Sequence, residues 1–313
     1  MKYRIEHRTE YRYDAPVSRC RNEAHLRPRD TDRQQCLEHR LVVDPAPTGW
    51  GERADFYGNP VTSFVVDGPF TSMTVTATST VEVTDVEPIP AVGPGWAEAL
   101  DRLTNDLSPE MLDAREFCFE SPLVSTARVV HEYAEPSFVP GASLVEVVTD
   151  LTERIHADFL YDPGFTTVTT PLDEVLDHRR GVCQDFAHLA VGCVRSMGLA
   201  ARYVSGYLET APPPGTERLV GADASHAWLS VFVPDWGWFD LDPTNDRIVG
   251  HDYVTTAWGR DYADVSPLKG IVFGGGGSHT LDVAVDVARV DGADGADVAD
   301  GASRSDGGPS ADR

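Results

Sequence analysis

The amino-acid sequence predicts an α+β fold, in which an antiparallel β domain is followed by helices and then by a second antiparallel sheet. Three observations support this prediction. Apolar residues alternate with polar ones over residues 1 to about 85, which is the period of a strand with one buried face. Helical spacing recurs between residues 96 and 198, and strand-like segments return from residue 201.

The domain boundaries follow from length and composition. With 313 residues, the chain suits two domains or one large domain with an extension. We expect an N-terminal β domain at 1–87, a linker rich in proline and glycine at 88–95, and a second domain at 96–290. The informative motifs of the second domain lie within 145–250. Residues 291–313 hold six aspartates among small residues, which predicts a disordered acidic tail.

The β domain shows its strand period clearly. The alternating residues of its first strand are Tyr3, Ile5, His7, Thr9, Tyr11 and Tyr13. The pattern repeats at Met73–Val83, and Tyr57–Pro60 is typical of a turn. We interpret His7, His25 and His39 as residues on strand faces rather than as ligands.

Helices are predicted next, at residues 96–107, 121–133 and 142–156. The third has Ser143 as a plausible N-cap with Glu146 three residues later, the pattern of a capping box. A further helix begins near Cys183 and ends before Gly198.

The second sheet follows this helix. Strands are predicted at residues 201–208, 227–233 and 237–241. Gly274–Gly277 lacks the Gly-Lys-Ser/Thr ending of a phosphate loop, so we interpret it as a turn between strands.

The charge of the chain excludes some partners. Its formal net charge is −24, so its surface repels phosphate backbones and we expect no nucleic-acid partner. No stretch contains the roughly 18 apolar residues of a membrane span, so we expect no membrane partner. The first residues lack the apolar run of a signal peptide, which predicts a cytoplasmic protein.

The cysteines argue against structural crosslinks. They are Cys20, Cys36, Cys118, Cys183 and Cys193. An odd number of cysteines at irregular spacing argues against a disulfide framework. The sequence has no CxxC pair, so we do not expect a structural zinc site. We expect neither a metal nor a cofactor. Most cysteines in proteins are small buried hydrophobes, so a reactive one must be distinguished by its position.

Cys183 is distinguished in this way. It lies at the predicted start of a helix, where unpaired N–H groups and the helix dipole favour a thiolate. Cys193 lies in the middle of the same helix, where that effect is weak. Position therefore selects Cys183 as the candidate nucleophile.

A thiol nucleophile also needs a proton carrier and a group that orients it. His226 opens a predicted strand, and Asp242 lies at the end of the next one. Two adjacent antiparallel strands can bring these residues side by side. Asp240 shares a strand face with Asp242, so the pattern alone leaves both open. His188, five residues after Cys183, is interpreted as a core histidine rather than a base.

Together these segments resemble the transglutaminase-like superfamily, whose core has the papain-like cysteine-protease fold. The motifs that carry the resemblance are Cys183 at a helix start, His226-Ala227-Trp228 in a strand, and Asp242-Pro243-Thr244 at a strand end. They occur in the order found in the family. The segment Gly198–Tyr207 resembles the strand that follows the catalytic helix in that family. The β-rich start resembles the N-terminal domain of bacterial members.

The resemblance implies roles for these residues. Cys183 would be the nucleophile, His226 the general base and then acid, and Asp242 the orienting group, favoured over Asp240 by the Asp-Pro-Thr match. The backbone N–H of Cys183 is the natural oxyanion donor. The second donor is not evident from the sequence.

The expected reaction is attack on an amide or peptide carbonyl of a peptide or protein substrate, giving a thioester. Hydrolysis, as in a cysteine protease or amidase, is the favoured outcome. A protein-glutamine transglutaminase that passes the acyl group to an amine is the alternative. A non-catalytic binding protein on the same fold is a third hypothesis, which an intact triad disfavours.

Overall fold

The computed structural model describes residues 1–84, 93–210 and 225–290. Within these ranges the chain forms two large antiparallel sheets and a set of helices packed on the second sheet. The predicted α+β class is confirmed.

The first sheet is built around the long strand β1 (Lys2–Ala24). Its residues Tyr3, Ile5 and His7 are buried, as the alternating pattern predicts. One edge of β1 pairs with β4 (Pro60–Val83) along most of its length. The partners of β4 on its far edge are β2 (Gln34–Asp44) and β3 (Gly49–Ala54).

The other edge of β1 is covered by two strands from much later in the chain. These are β12 (Leu268–Gly274) and β13 (His279–Arg289). The predicted second domain, 96–290, is therefore wrong at its C-terminal end, because residues 268–289 belong to the first sheet.

Burial explains why these strands return. Val285 and Val287 of β13 form one buried apolar cluster with Tyr3 and Ile5 of β1. Gly274–Gly277 lies at the turn between β12 and β13, so the prediction of a turn between strands is confirmed.

The predicted linker at 88–95 is described only from residue 93 onward. The predicted tail at 291–313 lies outside the described residues.

Between and beside the strands, the described ranges contain seven α-helices. They are α1 (Trp96–Asn105), α2 (Pro109–Arg115), α3 (Arg128–Ala134), α4 (Leu144–Asp158), α5 (Leu172–His178), α6 (Cys183–Ser196) and α7 (Tyr262–Val265). The predictions of α1, α4 and α6 are confirmed within a few residues. The capping box is present, with Glu146 N–H donating to Ser143 Oγ and Ser143 N–H donating to the Glu146 carboxylate. Helices α2 and α5 were not predicted, because two turns are too short to show a period.

Helix α3 begins later than the predicted 121–133. Ser121 and Val124 form a tight turn through two backbone hydrogen bonds. The Glu120 carboxylate then accepts the backbone N–H of Thr126 at 2.7 Å. These local hydrogen bonds satisfy backbone groups before Arg128, so the helix begins later than predicted.

The second sheet carries α6 on one face. Its strands, in spatial order, are β10 (Arg247–Ile248), β9 (Gly237–Asp242), β8 (Ser225–Val233), β7 (Ala201–Leu208) and β11 (Tyr253–Gly259). The three predicted strands of this region are therefore confirmed, with β8 beginning two residues before the predicted residue 227. A short parallel pair, β5 (Leu160–Tyr161) and β6 (Arg180–Gly181), lies directly before α6.

The two sheets are joined through β11. Trp258 is stacked between two guanidinium groups, that of Arg29 at 3.5 Å and that of Arg202 at 3.7 Å from the ring centroid. The side-chain amides of Gln34 and Asn59 bond to the backbone of β11 as a neighbouring strand would. The edge of the second sheet is thereby satisfied by the first domain.

No helix in the described ranges is long and apolar enough to cross a membrane.

Candidate active site

Cys183 is the first residue of α6, and local hydrogen bonds fix its position. The buried Asp185 carboxylate accepts the backbone N–H of Val182 at 2.8 Å and the Thr166 hydroxyl at 2.6 Å. These bonds anchor the first turn of the helix to the loop before it. Cys183 is partly exposed, and its N–H is one of the groups that a helix start leaves without an intrahelical partner.

His226 and Asp242 are brought together by the pairing of β8 with β9. His226 Nε2 lies 2.6 Å from Asp242 Oδ2. The Asp242 side chain is fully buried, and the His226 side chain is 10% exposed. Since Nε2 is held by the carboxylate, Nδ1 is the ring nitrogen left to exchange a proton with the thiol.

Asp242 stays ionised despite its burial. Burial alone would raise its pKa, but hydrogen bonds from His226, Asn245 and Tyr253 lower it below its ordinary value. The Asn245 amide donates to Oδ2 at 2.6 Å and the Tyr253 hydroxyl at 2.7 Å. Oδ1 accepts the backbone N–H of Thr244 at 2.9 Å. The carboxylate is therefore saturated with donors.

The same contacts make His226 a strong base. Burial lowers its pKa, but this effect is outweighed by the hydrogen bonds and charges of Asp242 and Cys183, which raise the pKa to about 10. The imidazolium is thus the dominant form at neutral pH, next to the thiol at the helix start. This is the arrangement that stabilises a thiolate.

Asp240, the alternative to Asp242, has other partners. Its Oδ2 accepts the indole N–H of Trp228 at 3.3 Å and lies 3.9 Å from Arg33. The contact with His226 falls on Asp242. Of the two acidic residues that the sequence left open, Asp242 is the one that bonds to His226.

Cys193 and His188, the other cysteine and the histidine of α6, have environments that differ from those of Cys183 and His226. Cys193 is fully buried in α6, and burial raises the pKa of its thiol. His188 is buried, and its Nε2 accepts the backbone N–H of Tyr262 at 3.1 Å. Burial lowers the pKa of His188 to about 4, which fits the interpretation as a core histidine.

The histidines of the first sheet make structural hydrogen bonds. His7 lies 3.0 Å from the Tyr207 hydroxyl, His25 3.1 Å from the Ser266 carbonyl, and His39 2.9 Å from the Ser79 hydroxyl. In the part of the chain that the structure describes, no group of three or more His, Cys, Asp or Glu residues is placed to hold a metal ion.

Sequence reasoning missed two residues, Asn245 and Tyr253. Asn245 follows Asp242 by three residues in the same turn, and a polar residue there is a recognisable signal for a further donor. Tyr253 gave no such signal. It lies on β11, which is not adjacent to β9 in the sheet, so only the fold brings its hydroxyl to Asp242.

Two family models match the chain. Residues 3–82 match the bacterial transglutaminase-like N-terminal region, and residues 127–243 match the core of the transglutaminase-like superfamily. The second match includes Cys183, His226 and Asp242. The chain belongs to the transglutaminase-like superfamily.

Full-length relatives of this transglutaminase-like protein occur in mycobacteria. It is 45% identical over 300 residues to the uncharacterized protein Rv2569c of Mycobacterium tuberculosis, covering 93% of this chain and 94% of that protein. Over 102 residues it is 33% identical to a protein-glutamine gamma-glutamyltransferase of Pseudomonas aeruginosa, which is 31% of this chain and 15% of that enzyme.

A solved structure shares the fold of the transglutaminase-like protein over both sheets. It is described as a "Putative Cysteine Protease from Cytophaga hutchinsonii" and superposes with a TM-score of 0.72. The match covers 93% of this chain and 91% of that one at 22% identity. This likeness confirms the predicted fold.

Proposed function

We propose that this transglutaminase-like protein is a thiol-dependent hydrolase that cleaves an amide or peptide bond through Cys183, His226 and Asp242. The observation that carries the proposal is the 2.6 Å bond between His226 and the buried Asp242, beside a cysteine at a helix start. The substrate would be a peptide or protein.

In the first step Cys183 Sγ attacks the carbonyl carbon, and a C–S bond forms. The oxyanion is stabilised by the backbone N–H of Cys183. As the C–N bond breaks, His226 gives its proton to the leaving amine, and a thioester remains. Water then attacks the thioester, and His226 takes a proton from the attacking water. The C–S bond breaks, releasing the acid and restoring the thiolate–imidazolium pair.

Transfer to an amine is the second candidate. It is supported by the partial similarity to the Pseudomonas glutamyltransferase. The same thioester serves both outcomes, so the triad does not distinguish them. The cytoplasmic location, and the absence of nucleic-acid and membrane partners, stay predictions.

Alkylation tests the nucleophile. Iodoacetamide should label Cys183 faster than the other cysteines at neutral pH, because an imidazolium beside a thiol at a helix start makes it more reactive. Cys36 is a matched control, since it is also partly exposed while burial raises the pKa of its thiol. Peptide mass mapping of wild type, Cys183→Ala and Cys36→Ala would locate the label. Equal labelling of Cys183 and Cys36 in the native protein would contradict the proposal.

Product analysis separates the two outcomes. Glutamine-containing peptides are incubated with and without a fluorescent primary amine. New peptide termini or released ammonia, without incorporation of the amine, support hydrolysis. Incorporation of the amine at glutamine supports transfer, and no turnover by wild type with reactive Cys183 supports the binding protein.

A further inference from the structure

A second candidate binding site lies on the first sheet. A cavity of about 430 Å³ opens between Tyr11, Tyr13, Asn22 and the β12–β13 turn. Its volume is in the range of sites that hold small molecules or single side chains. We call it the distal cavity.

Aromatic rings form one wall of the distal cavity. The rings of Tyr11 and Tyr13 are stacked, with centroids 6.2 Å apart and planes within 8°. His279 lies 5.8 Å from the first and 6.0 Å from the second. Three rings therefore present a continuous surface on which another ring can stack.

Glycines form the facing wall. Gly274, Gly275 and Gly276 all have positive φ, a conformation that favours glycine. A Cβ on Gly275 would lie 3.0 Å from Val17 and 3.4 Å from the ring of Tyr13. The missing side chains let the backbone of this turn lie close to the aromatic wall.

Strand β1 runs from the distal cavity to the sheet that carries His226. Tyr11 and Tyr13 continue the alternation of His7, which bonds to the Tyr207 hydroxyl. Tyr207 follows Gly206, the residue paired with His226. Since a strand rises about 3.3 Å per residue, Tyr13 lies roughly 20 Å along β1 from His7.

A second path connects the two sites. Tyr262 packs in one cluster with Cys183 and Tyr203, and its ring lies 6.4 Å from that of Tyr203. Ser266 Oγ lies 3.4 Å from the Tyr262 hydroxyl and 3.4 Å from the carbonyl oxygen of Leu268, a residue that lines the distal cavity. Residues of the first sheet thus stand next to those that surround the thiol.

We propose that the distal cavity binds an aromatic side chain of an extended peptide substrate, several residues from the scissile bond. This inference rests on the proposed peptide hydrolysis. It gives the N-terminal domain a role in substrate selection. The aromatic wall supplies stacking, and the cavity of about 430 Å³ has room for a ring.

Peptide scanning tests the proposal. Once a cleaved peptide is known, a tyrosine is placed in turn four to eight residues from the cleaved bond, on either side, with alanine as reference. We expect one placement to raise kcat/KM about tenfold, mainly through KM, because a stacked ring adds binding energy. A gain at no position, or at every position alike, would overturn the proposal.

Variants locate the effect. Tyr13→Ala and the exposed His279→Ala should reduce the tyrosine-to-alanine ratio from about tenfold to below about threefold, whereas Tyr13→Phe should keep it, because the ring remains. Trp50→Ala is the matched control, since Trp50 is an exposed aromatic residue of the same sheet outside the distal cavity. A ratio unchanged in both alanine variants would contradict the assignment.

Binding separates this proposal from the proposed function. Calorimetry on the full-length Cys183→Ala protein compares the tyrosine and alanine peptides without turnover. Preferential binding that is lost in Cys183→Ala/His279→Ala supports the distal cavity even if no peptide is cleaved. Equal binding of both peptides would contradict the proposed role of the distal cavity. Hydrolysis would still be tested separately, with the wild-type protein.

Discussion

Two histidines near the beginning of α6, the buried His188 and the mostly buried His226, have pKa values shifted in opposite directions. His188 accepts one hydrogen bond from a backbone N–H, and burial lowers its pKa to about 4. For His226 burial acts in the same direction, but the bonded carboxylate of Asp242 is among the groups that raise its pKa to about 10. Desolvation alone makes a histidine neutral, and a directly bonded carboxylate reverses that outcome.

The difference shows how neighbouring parts of the fold hold one histidine neutral and the other protonated. Both rings are positioned by well-packed elements, and both are screened from solvent. Of the two, only His226 is directly bonded to a buried carboxylate, which is itself held by further donors. The predictions below change one partner at a time.

Asp242→Asn should have the largest effect. The imidazolium loses its charged partner, so the pKa of His226 should fall below its ordinary value, and kcat/KM should drop by about 10³- to 10⁴-fold. Steady-state kinetics measure kcat/KM, and an NMR titration measures the pKa of His226. Asp240→Asn is the matched control, two residues away on the same strand, and should keep most of the activity. The reverse ranking would reassign the orienting carboxylate.

His188→Gln should change the pH dependence of stability. Because the folded pKa is lowered to about 4, wild type loses stability as pH falls from about 6.5 towards 4, where only the unfolded state takes up this proton. The variant lacks that loss, so its free energy of unfolding relative to wild type should improve by about 1–3 kcal/mol on going from pH 7.5 to pH 4. Urea unfolding at the two pH values measures this change. An identical pH dependence in both proteins would show that His188 is not held neutral.

Tyr253→Phe should have the smallest effect. Removing one donor leaves more charge on Asp242 for His226, so the alkaline limb of the kcat/KM profile should move to higher pH. The rate at neutral pH should fall about three- to tenfold, since one hydrogen bond is lost.

The control for Tyr253 is Tyr133→Phe, another tyrosine bonded to an aspartate, Asp158, at 3.0 Å. It should leave the profile unchanged. A shift of the alkaline limb to lower pH in Tyr253→Phe would mean that the hydroxyl chiefly holds the cluster together.

The sequence predicted the parts of the site that depend on local pattern. Cys183 was recognisable from a helix start, and Asp242 from a motif at a strand end. Tyr253 could not be found, because its contact with Asp242 depends on the order of strands in the sheet. Alternation alone left Asp240 and Asp242 open, since both lie on the same strand face, and the Asp-Pro-Thr match favoured Asp242, which is the residue bonded to His226.

The same limit applies to the fold. The alternation of apolar and polar residues predicted β1 and the second half of β4, and β7 and β9 were predicted within a few residues. The pairing of β12 and β13 with β1 was not predicted, because the sequence of a strand does not identify the strand with which it pairs. Pairing between such distant segments is decided by the burial of Val285 and Val287, which local periodicity does not reveal.

That pairing has a consequence for the order of folding during synthesis. Tyr3 pairs with Arg289, so one edge of β1 stays unpaired until almost the whole described chain has left the ribosome. At about 5–20 residues per second, the wait lasts on the order of 15 to 60 seconds. During that interval β1 and β4 can pair, and the strands and helices around Cys183 are complete earlier. A nascent chain stalled before residue 268 would therefore expose a long, partly apolar strand edge that chaperones recognise.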